Sequence, residues 1–219
     1  MKKKLLLAIV FILNLSLFAQ ERRDPPISFE TLFGNERVAM MLGLNKTIAG
    51  KFRYNNITST AAYYDFYHDR PPMNFGRTEL VSVNSIIYQF HKNVGFSAGT
   101  QYHFVKGFIP NVAVHFSYAN PTWLFLLTPY YNFMPWANME TAAVVEYKPV
   151  LSNSLKLFTR FQGFYGHNFE KKERERAMTY FRLGLTFLKY TAGIGANIDF
   201  YTPARSEIQN YGGFVRVDF

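Results

Sequence analysis

The sequence predicts an all-β fold, a transmembrane antiparallel up-and-down β-barrel, and three observations predict it. The residues Tyr211 to Phe219 put Tyr211, Gly213, Val215, Val217 and Phe219 on one strand face, and Gly212, Phe214, Arg216 and Asp218 on the other. Alternating stretches of roughly ten residues recur down the chain, broken by turn residues. Aromatics make up 18% of the 219 residues, yet the mean hydropathy is only −0.09. Lipid-facing and lumen-facing residues that alternate cancel in this way.

The first element is a leader. Lys2-Lys3-Lys4 precedes the apolar run Leu5 to Leu13, and Ser16-Leu17-Phe18-Ala19 precedes Gln20. A charged start, a short apolar stretch and a small residue at the cut predict a secretory signal peptide over 1–19. The apolar run is shorter than the ~20 residues that a membrane-spanning helix needs. The barrel domain is then 20–219.

Strands follow in order. Ile27, Phe29, Thr31 and Phe33 alternate with Ser28, Glu30, Leu32 and Gly34, and Asn35-Glu36 turns into Val38, Met40, Leu42 and Leu44 alternating with Ala39, Met41, Gly43 and Asn45. Ten more are predicted at about 51–64, 79–90, 94–104, 112–119, 122–133, 139–151, 154–168, 177–188, 191–201 and 211–219. The patterning is plainest in Ala192 to Tyr201, where Ala192, Ile194, Ala196, Ile198 and Phe200 oppose Gly193, Gly195, Asn197, Asp199 and Tyr201. Twelve strands bring both ends of the barrel domain to one side; ten, with the N-terminal segment tucked into the lumen or periplasm, is the alternative.

The connections carry a second signal. Short ones at His91 to Asn93, Asn120-Pro121, Ser152-Asn153 and Lys189-Tyr190 alternate with longer ones at Asp65 to Thr78, Val105 to Asn111, Met134 to Asn138, Phe169 to Arg176 and Thr202 to Asn210. Tight turns at one membrane face and long loops at the other produce that parity. Aromatics gather beside both. Tyr63, Tyr64, Phe66, Tyr67, Tyr130, Tyr131, Phe133, Trp136, Phe164, Tyr165, Phe200 and Tyr201 flank the long links, and Tyr88, Phe90, Trp123, Tyr147 and Tyr190 the short ones. They are expected to form two interfacial girdles.

The chain resembles the small outer-membrane β-barrel proteins of Gram-negative bacteria, and the Phe18-Ala19-Gln20 cleavage region looks like those common in Bacteroidota. The resemblance is architectural and carries over no functional residue. It implies residence in the outer membrane, contact with its lipid and lipopolysaccharide, and insertion by the barrel assembly machinery, for which Val215, Val217 and Phe219 would be the signal. A single copy is the simplest assembly. The chain is basic, with 24 Lys and Arg against 15 Asp and Glu. The leader and the scatter of these charges argue for anionic headgroups as the counter-charge and against nucleic acid. Having no cysteine, the chain has neither disulfides nor thiolate metal sites. No cofactor is expected.

Four constellations bear on function. Glu146, Arg160 and Arg182 fall at similar heights on successive strands facing the lumen, with Asp199, Glu30 and Arg216 extending the set. Such charges stabilise a narrow barrel, or gate it. His103 and His115 flank a hairpin centred on Ile109 and should be cross-strand neighbours, a weak metal site with Gln101 and Ser117 nearby. His115 and Ser117 also share a face, the minimum for a lipid hydrolase, without an orienting group. The charged run Phe169 to Arg176 and the segment Asp65 to Thr78, with Tyr67, His68, Arg70, Pro71 and Pro72, are expected as solvated loops. The function expected is a narrow channel or small-solute transporter with a charged lumen. The alternative is a structural or binding barrel acting through its loops, and a lipid-modifying enzyme comes third.

Overall fold

The computed structural model describes residues 24–64, 78–133, 138–201 and 206–219, so the leader expected over 1–19 lies outside the described residues. So do Phe66, Tyr67, His68, Arg70, Pro71, Pro72 and Trp136.

Twelve strands form a closed antiparallel barrel: β1 (Ser28–Gly34), β2 (Arg37–Ala49), β3 (Phe52–Tyr63), β4 (Thr78–His91), β5 (Val94–His103), β6 (Gly107–Ala119), β7 (Trp123–Asn132), β8 (Asn138–Tyr147), β9 (Leu155–Asn168), β10 (Glu173–Phe187), β11 (Tyr190–Tyr201) and β12 (Ser206–Asp218). Each pairs with the next, and β12 closes onto β1 in a register that sets Glu30 opposite Arg216. The ten-stranded alternative is excluded, because β1 and β2 are full members of the wall.

Period-two patterning decides which way each strand faces. Phe29, Phe33, Phe116, Phe125, Leu127, Phe161, Phe181, Leu183, Leu185, Ile194 and Val215 all point outward and are exposed. The inward positions carry Glu30, Arg37, Glu79, Asn111, Asn132, Glu146, Arg182, Asn197 and Asp199, all buried. An apolar exterior around a polar interior suits hydrocarbon outside and water inside.

Several boundaries differ from expectation. β6 begins at Gly107 rather than at 112, because Gly107 takes a left-handed φ of 74° that turns the chain two residues after Val105. Pro110 lies inside this strand, facing out opposite Thr100. β10 begins at Glu173, so half of the expected charged loop is strand, with a register shift between Arg174 and Arg176. At the short-turn end the links are 50–51, 92–93, 120–122, 148–154 and 188–189; the other end also holds the two-residue turn 35–36. The length contrast between the two ends is therefore smaller than the strict alternation expected.

The girdles are corrected too. Tyr88, Phe90, Trp123, Tyr147 and Tyr190 do face outward, with Trp123 and Tyr147 in contact at 4.4 Å. At the other end Tyr131, Phe133, Tyr165 and Phe200 face outward, whereas Tyr63, Tyr130, Phe164 and Tyr201 share the inward face with Arg37, Glu140, Ala142 and Arg176. Counting aromatics near strand ends does not separate the two faces, which only the register does.

Candidate functional site: the charged lumen

Every charged residue expected on the lumen face lies there, but in two networks rather than one. The first is nearer the short turns. Glu146 and Arg160 are direct neighbours across β8 and β9, and Arg160 and Arg182 across β9 and β10. Arg182 donates from Nε to Glu30 Oε1 at 2.8 Å and from Nη1 to Asn197 Oδ1 at 2.8 Å, so its position is fixed. Arg216 meets Glu146 Oε1 at 3.3 Å and Asp218 at 2.9 Å, and Lys148 donates to Glu146 Oε2 at 2.7 Å.

Arg160 is the loosely held member. Its nitrogens stand 3.6 Å from Glu30 Oε2 and 3.8 Å from Glu146 Oε1, beyond hydrogen-bonding distance. Its firm bond is to Gln162 Oε1 at 2.8 Å. Glu30 Oε2 and Arg160 Nε are both buried without a hydrogen-bond partner. Glu30, Met41, Arg160, Gln162, Tyr180 and Arg182 enclose a space with no room for a water molecule. Beneath it Leu32, Phe158 and Phe214 form an apolar layer, with Arg182 over the Phe214 ring and Arg216 over the Phe158 ring.

The second network holds Asp199, and here the expectation of one continuous set fails. Asp199 pairs with Arg37, and with Arg176 at 3.0 Å. Arg176 also reaches Glu79 at 3.3 Å and the Tyr201 hydroxyl at 2.8 Å, while the Tyr63 hydroxyl donates to Glu79 at 2.8 Å. Partners from β2, β4 and β10 meet here across the lumen. Sequence reasoning missed Arg37 and Glu79, and it left Arg176 in a loop. Strict alternation from Tyr180 back through Met178 to Arg176 was the signal available. A third cluster lies nearest the long-loop end, where Glu175 meets Lys106 at 3.1 Å and the amides of Asn138 at 2.7 Å and Asn168 at 2.9 Å.

The opposite wall differs in kind. β3 and β4 face inward with Ile57, Ser59, Val81 and Val83, and β7 with Leu124 and Leu126. Ile57 is 44% exposed and Leu126 36% although both point into the barrel. An inward apolar side chain exposed to that degree needs open space beside it. The lumen is therefore filled on its charged side and along β5 and β6, where Ser97, Gln101, Ile109, Asn111 and Ala113 are buried, and it is open beside Ile57 of β3 and Leu126 of β7.

The histidine pair is a correction. The hairpin turns at 104–106, so His103 lies opposite Gly107 and His115 opposite Gly95. The expected midpoint at Ile109 assumed that Pro110 belonged to the loop. His115 bonds instead through Nε2 to Ser97 Oγ at 2.8 Å, with Thr128 Oγ1 3.4 Å from Nδ1. Ser97 is buried, and a hydroxyl rather than a carboxylate meets the second nitrogen. Among the described residues no group of three His, Asp or Glu side chains is placed to hold a metal ion. Val215, Val217 and Phe219 face outward, and Phe219 exchanges backbone hydrogen bonds with Ile27 at 2.8 and 3.2 Å.

The barrel is similar to solved porins. A KdgM porin matches over 88% of this chain and 98% of its own, with a TM-score of 0.51 and 10% identity. A NanC porin covers the same shares with a TM-score of 0.52 and 10% identity. At that identity the likeness is one of fold. No protein-family model and no curated protein matches the chain.

Proposed function

We propose that this chain is a narrow outer-membrane channel for small solutes, gated from one wall by Arg160. The observation that carries the reading is the asymmetry of the lumen. A packed ion network on β8 to β12 and β1 shares the lumen with open space beside Ile57 of β3 and Leu126 of β7, and Arg160 is the least constrained charge of that network. A guanidinium with strained, overlong ion contacts reorients at low cost, and a passing anion offers it a better partner. The similarity in fold to porins, over 88% of this chain and 98% of theirs, supports the same reading. In this orientation the short turns are periplasmic, and Val215, Val217 and Phe219 present the outward surface through which the barrel is inserted. The larger porins leave a wide aqueous channel, whereas a barrel of this size is largely filled by its own side chains.

Single-channel recording in planar bilayers tests this. The wild type is expected to conduct weakly with a preference for anions. Arg160→Ala is expected to raise conductance and weaken the preference, and Arg182→Ala to destabilise the closed arrangement. If both variants conduct as the wild type does, the gate is refuted.

A further inference from the structure

The outward apolar surface is interrupted on β3 to β5. Outward positions on β3 run Phe52, Tyr54, Asn56, Thr58; on β4 Tyr88, Ile86, Asn84, Ser82; and on β5 Phe96, Ala98, Thr100, Tyr102. Asn84 lies between Asn56 and Thr100, and Ser82 between Thr58 and Tyr102. The mid-strand cross-strand row on β7 to β11 is Phe125, Val145, Phe161, Phe181 and Ala196. Depth follows from the strand rise. Tyr88 packs on Phe52 at 5.3 Å in the short-turn aromatic band, and Asn84 is four residues further in. At ~3.4 Å per residue and a tilt of ~40°, that puts the amide on the order of 10 Å into the hydrocarbon.

The patch satisfies most of its own polar groups. Tyr54 donates to Asn84 Oδ1 at 2.7 Å, and Asn56 donates to the same oxygen at 2.8 Å and to Ser82 Oγ at 3.3 Å. Asn84 donates once, to Ser82 Oγ at 3.2 Å, and Thr58 bonds Asn56 Oδ1 at 3.2 Å and Ser82 at 2.8 Å. The second amide hydrogen of Asn84 and the hydroxyl of Thr100 find no partner among the described residues. Neither water nor lipid headgroups reach that depth, and each unmet polar group in hydrocarbon costs several kcal/mol.

We infer that a second copy of this chain covers the patch, forming a two-fold dimer through β3, β4 and β5. The patch is uncharged and offers a spare donor beside a group that both donates and accepts. It is therefore complementary to itself under a two-fold rotation: each copy's Asn84 amide donates to the other's Thr100 hydroxyl. A soluble partner cannot enter the bilayer, and lipid chains supply no acceptor. The inference does not depend on what crosses the lumen.

The absence of native cysteine makes the test clean. A single Ala98→Cys chain, the cysteine outward on β5 beside the patch, treated in native outer membranes with a short bis-thiol cross-linker, is expected to give a product of twice the chain mass. Leu183→Cys, outward on the far side of the barrel, is expected to stay at the mass of one chain. Adding Asn84→Leu to Ala98→Cys is expected to lower the cross-linked fraction at least about tenfold, because each dimer loses both of its Asn84–Thr100 hydrogen bonds. Heat-modifiable migration on gels confirms that each variant is folded. A folded Ala98→Cys chain that stays single, that couples to a protein of another mass, or whose dimer ignores Asn84→Leu overturns the inference.

Discussion

Arg182 ties several parts of the barrel's interior together: a carboxylate, an amide and two backbone carbonyls receive its protons. Removing one partner of a buried ion pair costs more than never having had the pair, because the remaining charge is left without compensation. Arg182→Met is therefore expected to lower stability by about 3 kcal/mol, and Glu30→Gln in the same chain to recover part of that loss. Urea unfolding in lipid vesicles, followed by tryptophan fluorescence, reads both. Asp24 makes a different kind of contact, outside the strands. Slight burial opposes its ionisation. Hydrogen bonds from the Thr47 hydroxyl and amide, and the Arg53 guanidinium at 3.0 Å, outweigh that and hold its carboxyl below the ordinary range. A depressed folded pKa means the contact is at full strength above ~4 and is lost as pH falls through the lower folded value. Limited proteolysis near Asp24 is expected to quicken only in acid, and Asp24→Asn to abolish that pH dependence. At this scale the sequence was legible where one strand sufficed. The inward charge of Glu146 followed from its own strand, but the pairing of Arg37 with Asp199 depends on partners 162 positions apart, which alternation cannot supply.

Among elements, alternation located the strands well because inward and outward solvents differ so sharply. It failed where a single backbone torsion decides, as at Gly107, and where a proline that cannot donate is nonetheless tolerated, as at Pro110. It also gave no warning of the outward Asn56 and Asn84, since polar residues on both faces of β3 leave no contrast to read. The glycines of β11 show how close the strands come. A Cβ at Gly193 would stand 2.1 Å from the Leu183 carbonyl oxygen, whereas at Gly195 it would meet Arg182 Cδ at 2.7 Å. Backbone cannot yield, whereas Arg182 can shift by giving up part of its hydrogen bonding. Gly193→Ala is thus expected to cost about 1–3 kcal/mol and Gly195→Ala less, in the same unfolding assay.

Over the whole molecule, a twelve-stranded wall encloses a lumen that is packed around its ion networks and leaves space beside Ile57 and Leu126. The fold class could be read from composition and parity, but the asymmetry could not, because it arises only when the wall closes. Closure itself has a temporal consequence. β1 brings just seven residues to β12, and the first pair, Ser28 with Asp218, joins the two far ends of the folded chain. The side chain of Asn210 reinforces this short ladder, accepting from the amides of Glu36 at 3.0 Å and Arg37 at 3.1 Å. Contacts this distant in sequence form last and repay their loop entropy late. The seam is then the place where the ring first springs open under heat and detergent, and its rate of unzipping sets the lifetime of the native state. A disulfide between Thr31→Cys and Val215→Cys, which pair across the seam, is expected to lengthen the half-life in hot detergent severalfold. The same bridge between Phe161→Cys and Phe181→Cys, inside the fourteen-residue β9 ladder, is expected to leave it unchanged.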